Sequence, residues 1–211
     1  MFRIALALAL LTVAACGGST PAAQSPTAAS VAVQPGDVPA GMVKCDVSGD
    51  INSFLDQEKT ADPSTYQSTK AEWEDAKSKG ATAAYVAVYA DSKAHCDAIK
   101  SSGPDIGAAS YKLVINFVIQ FKDEATASKA YTSEKIFNIS AADLKSNGAN
   151  VVEGSKTGLS ANSIVLDTQI ANQSYYIAVW QNKDFMVILA VLNVDSASAK
   201  KVATSVNSRI K

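Results

Sequence analysis

Hydrophobic and polar positions alternate most regularly between Tyr111 and Lys122. The odd positions are Tyr111, Leu113, Ile115, Phe117, Ile119 and Phe121; the even ones are Lys112, Val114, Asn116, Val118, Gln120 and Lys122. A period of two with one apolar row predicts a strand with one buried face and one wetter face. Further strands are expected over 82–90, 163–171, 174–181 and 185–194. The last of these breaks the pattern. Phe185, Val187, Leu189 and Val191 form one row and Met186, Ile188, Ala190 and Leu192 the other, and both are apolar. The preceding strand behaves alike, with Tyr176, Ala178 and Trp180 against Tyr175, Ile177 and Val179. The second side of the sheet therefore needs a cover: a helix bearing Tyr66 and Trp73, a partner, or a ligand.

Helix signals fall between these strands. Asp50 reads as the N-cap of a short helix carrying Ile51, Phe54 and Leu55. Asp62-Pro63 opens a helix to about Ser78, stopped by Gly80, with the aspartate as cap and proline in the first turn. Asp91, Asp123 and Asp195 each follow a strand and precede an Ala-rich helix, and Ser140 to Asp143 resembles a capping box. The terminal helix puts Ala199, Val202, Val206 and Ile210 on one side. Ala171-Asn172-Gln173 and Asn182-Lys183-Asp184 are short enough to be hairpin joins. The fold class is α+β: a mostly antiparallel sheet of about five to six strands with helices packed on it, in two layers.

The first fifteen residues follow another logic. Arg3 supplies a positive charge, and Ile4 to Val13 is a nearly unbroken apolar run, shorter than the roughly 20 residues needed to span a bilayer. It ends in Val13-Ala14-Ala15-Cys16, which resembles the lipobox of bacterial lipoproteins. The resemblance implies cleavage before Cys16, diacylglycerol on its sulfur, and a membrane anchor formed by two acyl chains. Residues 1–15 are then a signal peptide. Gly17 to Asp37, with three prolines and no charge before Asp37, reads as a flexible tether of ~25 Å reach. The expected domains are thus a signal over 1–15, a lipidated linker over 16–37 and one extracytoplasmic domain over 38–211.

Composition narrows the chemistry. With 19 basic and 20 acidic residues, the chain carries no charge excess suited to nucleic acid. Arg3 and Arg209 are the only arginines, so no bidentate carboxylate or phosphate clamp is expected in the mature domain. Once Cys16 is assigned to lipid, Cys45 and Cys96 form an even pair, expected as a disulfide in an exported protein.

The motifs point to no reaction. His95 precedes Cys96 on a helix, where adjacent side chains diverge by about 100°, too far for a nucleophile–base pair. Asp46 to Asn52 has alternating oxygen donors but lacks the glycine and the terminal glutamate of a calcium loop. Lys156-Thr157-Gly158 resembles an element of penicillin-binding proteins and serine β-lactamases, with Ser198 to Lys201 as a possible Ser-x-x-Lys. Their order is reversed and Ser-Asp-Asn is missing, so 154–160 is read as a Gly-bounded turn. Neither a metal site nor a cofactor is expected.

The expected function is a membrane-anchored, non-enzymatic extracytoplasmic lipoprotein of the cell membrane or outer membrane. It would bind a small apolar ligand, a lipid or an envelope protein through Tyr176, Trp180, Met186, Ile188 and Trp73. A structural module of the envelope and a hydrolase with an unrecognised site remain the alternatives.

Overall fold

The computed structural model describes residues 25–102, 109–133, 137, 139–146 and 151–211. Its strands are β1 (Val43–Lys44), β2 (Gly49–Asp50), β3 (Ala81–Ala90), β4 (Leu113–Phe121), β5 (Val151–Glu153), β6 (Asn162–Ile170), β7 (Gln173–Asn182) and β8 (Phe185–Leu192). Its helices are α1 (Ala28–Val31), α2 (Ile51–Ala61), α3 (Pro63–Ser78), α4 (Lys93–Ser102), α5 (Glu124–Ser133), α6 (Ala141–Ser146) and α7 (Ser196–Ser208). The eight strands form one antiparallel sheet in the order β1-β3-β4-β8-β7-β6-β5, with β2 also on β3. The α+β class and the five long strands are as the periodicity predicts. The count of five to six strands is too low because β1, β2 and β5 are only two or three residues long, too short to show a period.

The two-layer expectation is corrected. Strand β8 is buried at every position and lies between β4 and β7, so both sheet faces are closed there. On the first face, Leu113, Ile115, Ile119, Met186, Ile188 and Val179 join one core with Phe54 and Leu55 of α2, Trp73 of α3 and Ile99 of α4. On the second, Val114, Val118, Val187, Leu189, Val191 and Trp180 join another core with Val202 and Val206 of α7 and Val31 of α1. The Tyr66/Trp73 helix thus packs on the first face. The second is covered by the terminal helix and by a segment the sequence did not mark as folded.

That segment is residues 27–37, placed by sequence in the linker. Thr27 and Ser30 form a reciprocal capping box around the four-residue α1. A helix this short is not stable alone; packing and polar clamps hold it. Val31, Ala32 and Val33 are fully buried, and each valine contributes about 1.5 kcal/mol or more. Asn116 Oδ1 accepts the Val33 N–H at 3.0 Å, while its Nδ2 donates to Ile188 O at 3.1 Å. The Tyr89 hydroxyl donates to Val33 O at 3.1 Å. Asn116, which sequence put on the wetter face, is 0% exposed and fully used. The correction has a simple cause: small residues and prolines suit a surface coil and a strap lying flat on a sheet equally well.

Arg209 closes the strap. Its Nε and Nη2 donate to Val31 O and Ala32 O at 3.2 and 3.0 Å, and Nη1 and Nη2 grip the Asp37 carboxylate at 3.1 and 2.7 Å. The expectation that no bidentate clamp exists is therefore wrong: one arginine suffices when it sits at the end of α7 beside the strap. Planar, charge-assisted pairing of this kind is stronger than a neutral hydrogen bond.

Aspartates begin four helices as the sequence predicts, but not α4, where Ser92 rather than Asp91 caps the helix and the Asp91 carboxylate instead holds Lys112 N–H and the His95 ring. Asp50, Asp62 and Asp195 accept backbone N–H groups at the starts of α2, α3 and α7, and Asp123 does so before α5. Hydrogen bonds from Ser53, Thr65, Thr126 and Ser198 hold their respective carboxyls below the usual aspartate range. The Cys45–Cys96 disulfide joins the chain after β1 to α4, with Cα atoms 5.0 Å apart. Closing a loop of that length stabilises by about 4 kcal/mol through lost unfolded-state entropy. Among the described residues no helix is long and apolar enough to cross a membrane.

Glu58 is a local conflict. It follows Ile51, Phe54 and Leu55 along the buried stripe of α2, is 1% exposed, and its Oε2 has no hydrogen-bond partner. Burial, and then the nearby Asp62 charge, push its carboxyl up to about 6. The folded state therefore holds this proton more tightly than the unfolded chain, so stability falls as pH rises from about 4.5 through 6. Glu58→Gln is expected to be more stable than wild type by about 2 kcal/mol at pH 7 and no different at pH 4. Urea unfolding at both pH values checks this, and an equal difference at the two would contradict it. Arg209→Ala is expected to cost about 2 kcal/mol and to open 27–37 to limited proteolysis; a loss below about 0.5 kcal/mol with the segment still protected would contradict the clamp.

Candidate functional site

The residues expected to form one ligand face do not share a face. Trp180 and Tyr176 pair with Val187 and Val191 of β8, so Met186 and Ile188, at the alternate positions, point the other way. Trp180 and Tyr176 lie in the second-face core, and Met186, Ile188 and Trp73 in the first. All five are buried, with exposures of 0–5%. The apolar surface meant for a ligand is consumed by α7, the strap, and α2 to α4. Tyr176 also lines a cavity. Cys16 lies outside the described residues. His95 sits away from this region on α4, its Nδ1 2.5 Å from Asp91 Oδ1 and its ring stacked on Tyr111 with centroids 4.0 Å apart.

The cavity arises where the second-face cover stops. Helix α7 lies against β7, and beyond it the sheet continues through β6 and β5. Cross-strand pairing builds the floor: Val152 opposes Val165, and Asp167 opposes Tyr176, all on one side of the sheet. One wall is the 3₁₀ turn Gly154–Thr157 joining β5 to β6, which supplies Lys156 and Thr157. Gly158 ends it at φ +78°, a left-handed conformation that glycine adopts without strain. The other wall is the start of α7, with Ser196 and Lys200 one turn apart on the same side. The cleft holds about 180 Å³ and adjoins, across the Asp167–Ser196 pair, a groove of about 430 Å³. That groove is lined by Asp167, Thr168, Gln169, Ser174, Asp195 and Ser196.

Several of these polar groups are already committed. Thr157 Oγ1 lies 2.7 Å from Ser163 Oγ, donates to Gly154 O and accepts the Leu159 N–H, so it rigidifies the turn. The Ser196 hydroxyl donates to Asp167 Oδ2. Three groups are not committed. Among the described residues neither Lys156 nor Lys200 has a carboxylate within ion-pair distance, and the Tyr176 hydroxyl has no hydrogen-bond partner. Tyr176 is only 4% exposed. Burial, and secondarily the Asp167 charge, raise its phenol to about 12, so it remains a proton donor at any physiological pH. The hydroxyl itself is open to the cavity, where water or a ligand can accept from it.

No protein-family profile matches the chain, and no curated protein sequence does. Among solved structures one likeness is clear. The chain is similar in fold to the extracellular domain of PknH from Mycobacterium tuberculosis. The TM-score is 0.51 at 11% identity, over 89% of this chain and 97% of that one. At that identity the likeness to the PknH domain is one of fold. It extends over nearly the whole of both chains, so it takes in both cores of the sheet.

Sequence reading found Tyr176 but missed Lys156, Asp167, Ser196 and Lys200 as neighbours. The signal that was present is the Gly-bounded turn 154–160, which the structure shows as a turn between strands. Lys156, weighed in a β-lactamase-like reading, lines the cleft, but Ser198 and Lys201 of that reading are not among the lining residues. Tyr176→Phe is expected to leave unfolding free energy within about 0.5 kcal/mol of wild type or to raise it, because the hydroxyl it removes is unpartnered. Thermal and urea unfolding measure this; a loss above about 1 kcal/mol would reveal a structural bond to that hydroxyl.

Proposed function

We propose that this protein is a membrane-tethered extracytoplasmic binding module whose ligand occupies the cleft between the β5–β6 turn and the start of α7. The observation that carries the reading is a walled cavity on which the Tyr176 hydroxyl and two lysines converge, the lysines having no ion-pair partner among the described residues. The disulfide supports an oxidising compartment, and the fold likeness to an extracellular domain agrees with it. The tether rests on the lipobox-like residues ending in Cys16. Thr27 caps the first described helix, and the eleven residues from Cys16 to it can span at most about 40 Å. The domain would work close to the membrane surface.

A binding role fits the chemistry better than hydrolysis. Ser196, the hydroxyl in the cleft, donates to a carboxylate, and the chain's one histidine is held elsewhere by Asp91 and Tyr111. No histidine base therefore reaches that hydroxyl, and its proton is already given to Asp167.

Equilibrium dialysis of the detergent-solubilised full chain against the small polar molecules of an envelope extract, read by mass spectrometry, tests the binding role. A compound retained by wild type and lost from the Lys156→Ala/Lys200→Ala variant is expected. Identical retention by both proteins, or none by either, would contradict it. In the same cells, labelled palmitate is expected in wild type and absent from Cys16→Ser, and label that persists in the variant would refute the anchor.

A further inference from the structure

We infer that the cleft and its groove take an acidic saccharide: a sugar or polyol ring that carries one carboxylate or phosphate group. This rests on the cleft being the ligand site, as proposed above, and goes on to name the ligand's class.

Three observations lead there. The first is the charge at the inner end. Lys156 and Lys200 line it from opposite walls and the Tyr176 hydroxyl from the floor, while the Asp167 carboxylate on the same floor already accepts from Ser196. Three donors, two of them cationic and none committed among the described residues, suit an oxyanion. Charge-assisted bonds there are the strong kind.

The second is size. About 180 Å³ is too little for a whole ligand, since small-molecule sites usually run from about 300 Å³ upward. It suits a head group, with the remainder of the molecule lying in the adjoining groove of about 430 Å³.

The third is the groove's lining. Asp167, Thr168, Gln169, Ser174, Asp195 and Ser196 are all polar, with no aliphatic or aromatic side chain among them. An acyl chain or an aromatic ring would desolvate those groups without pairing them, which is unfavourable. Ring hydroxyls both donate and accept, and match side-chain carboxylates, amides and hydroxyls alike. Asp195 in the groove, and Asp167 where groove and cleft adjoin, disfavour a second anionic group there, which places the charge beside the lysines.

The test is isothermal titration of the detergent-solubilised full chain with D-glucuronate and D-glucose 6-phosphate. The comparison probes are D-glucose, inorganic phosphate, hexanoate and L-alanine. Each acidic sugar is expected to bind at least about tenfold more tightly than glucose, phosphate or hexanoate. Lys156→Ala and Lys200→Ala should each weaken it about tenfold, and Tyr176→Phe about threefold or more, with unfolding of that last variant unchanged. Displacement of glucuronate by phosphatidylinositol vesicles would put the sugar on a lipid, and no displacement would put it in a free molecule; the proposal stands in either case. Equal affinity for glucose, or for phosphate or hexanoate, would overturn it, as would acidic-sugar binding indifferent to all three substitutions. Lysine-dependent binding of alanine alone would overturn the ligand class and leave the cleft as the site. No binding by any probe would overturn the class, with the dialysis experiment left to decide the site itself.

Discussion

A sheet whose central strand is apolar on both sides has to be covered twice. Strand β8 sets that constraint, because all eight of its residues are buried and they alternate between the two cores. On the first face the cover is conventional: α2, α3 and α4 pack against β3, and α5 against β4, β7 and β8. Among the described residues the helical cover of the second face is α7 and the strap before β1. Neither suffices alone. The strap supplies Val31 and Val33 to the gap, and Arg209 fastens it from the end of α7 by holding Asp37 and two carbonyls. The two termini of the domain are therefore one structural unit.

The same constraint places the cleft. Helix cover on the second face ends at β7, and β6 and β5 extend past it. The β5–β6 turn rises on one side and α7 starts on the other, so the uncovered stretch becomes a walled depression rather than a flat apolar edge. Its floor switches from valines to the Asp167–Tyr176 pair as it opens. What the site can bind follows from this: an anion between the lysines, with a hydroxyl-rich body along the polar groove.

How much of this the sequence disclosed depended on the signal each part carried. Alternation located β4, and double-sided apolarity in β7 and β8 revealed that a second cover was needed. Asp62-Pro63 placed α3, and the aspartate caps placed α2 and α7. The strap was illegible because its fold depends on Asn116, Tyr89 and Arg209, which lie 56 or more residues away in sequence. Its own composition is that of a coil. Asn116 was read as solvent-facing for the same reason, since its partners are the strap's backbone and Ile188 O. The cleft was hidden differently. Lys156, Asp167, Tyr176 and Lys200 come from four elements, and only cross-strand register brings them together. The apolar face proposed from Tyr176, Trp180, Met186 and Ile188 failed through parity: two of those residues point up and two down.

Amide hydrogen exchange at Val33 tests the central claim, that the strap is an integral part of the second-face core. Its N–H is buried and donates to Asn116 Oδ1. It should exchange only through global unfolding, at a rate matching the amides of β8. Exchange at the rate of an open loop, with β8 still protected, would contradict the account.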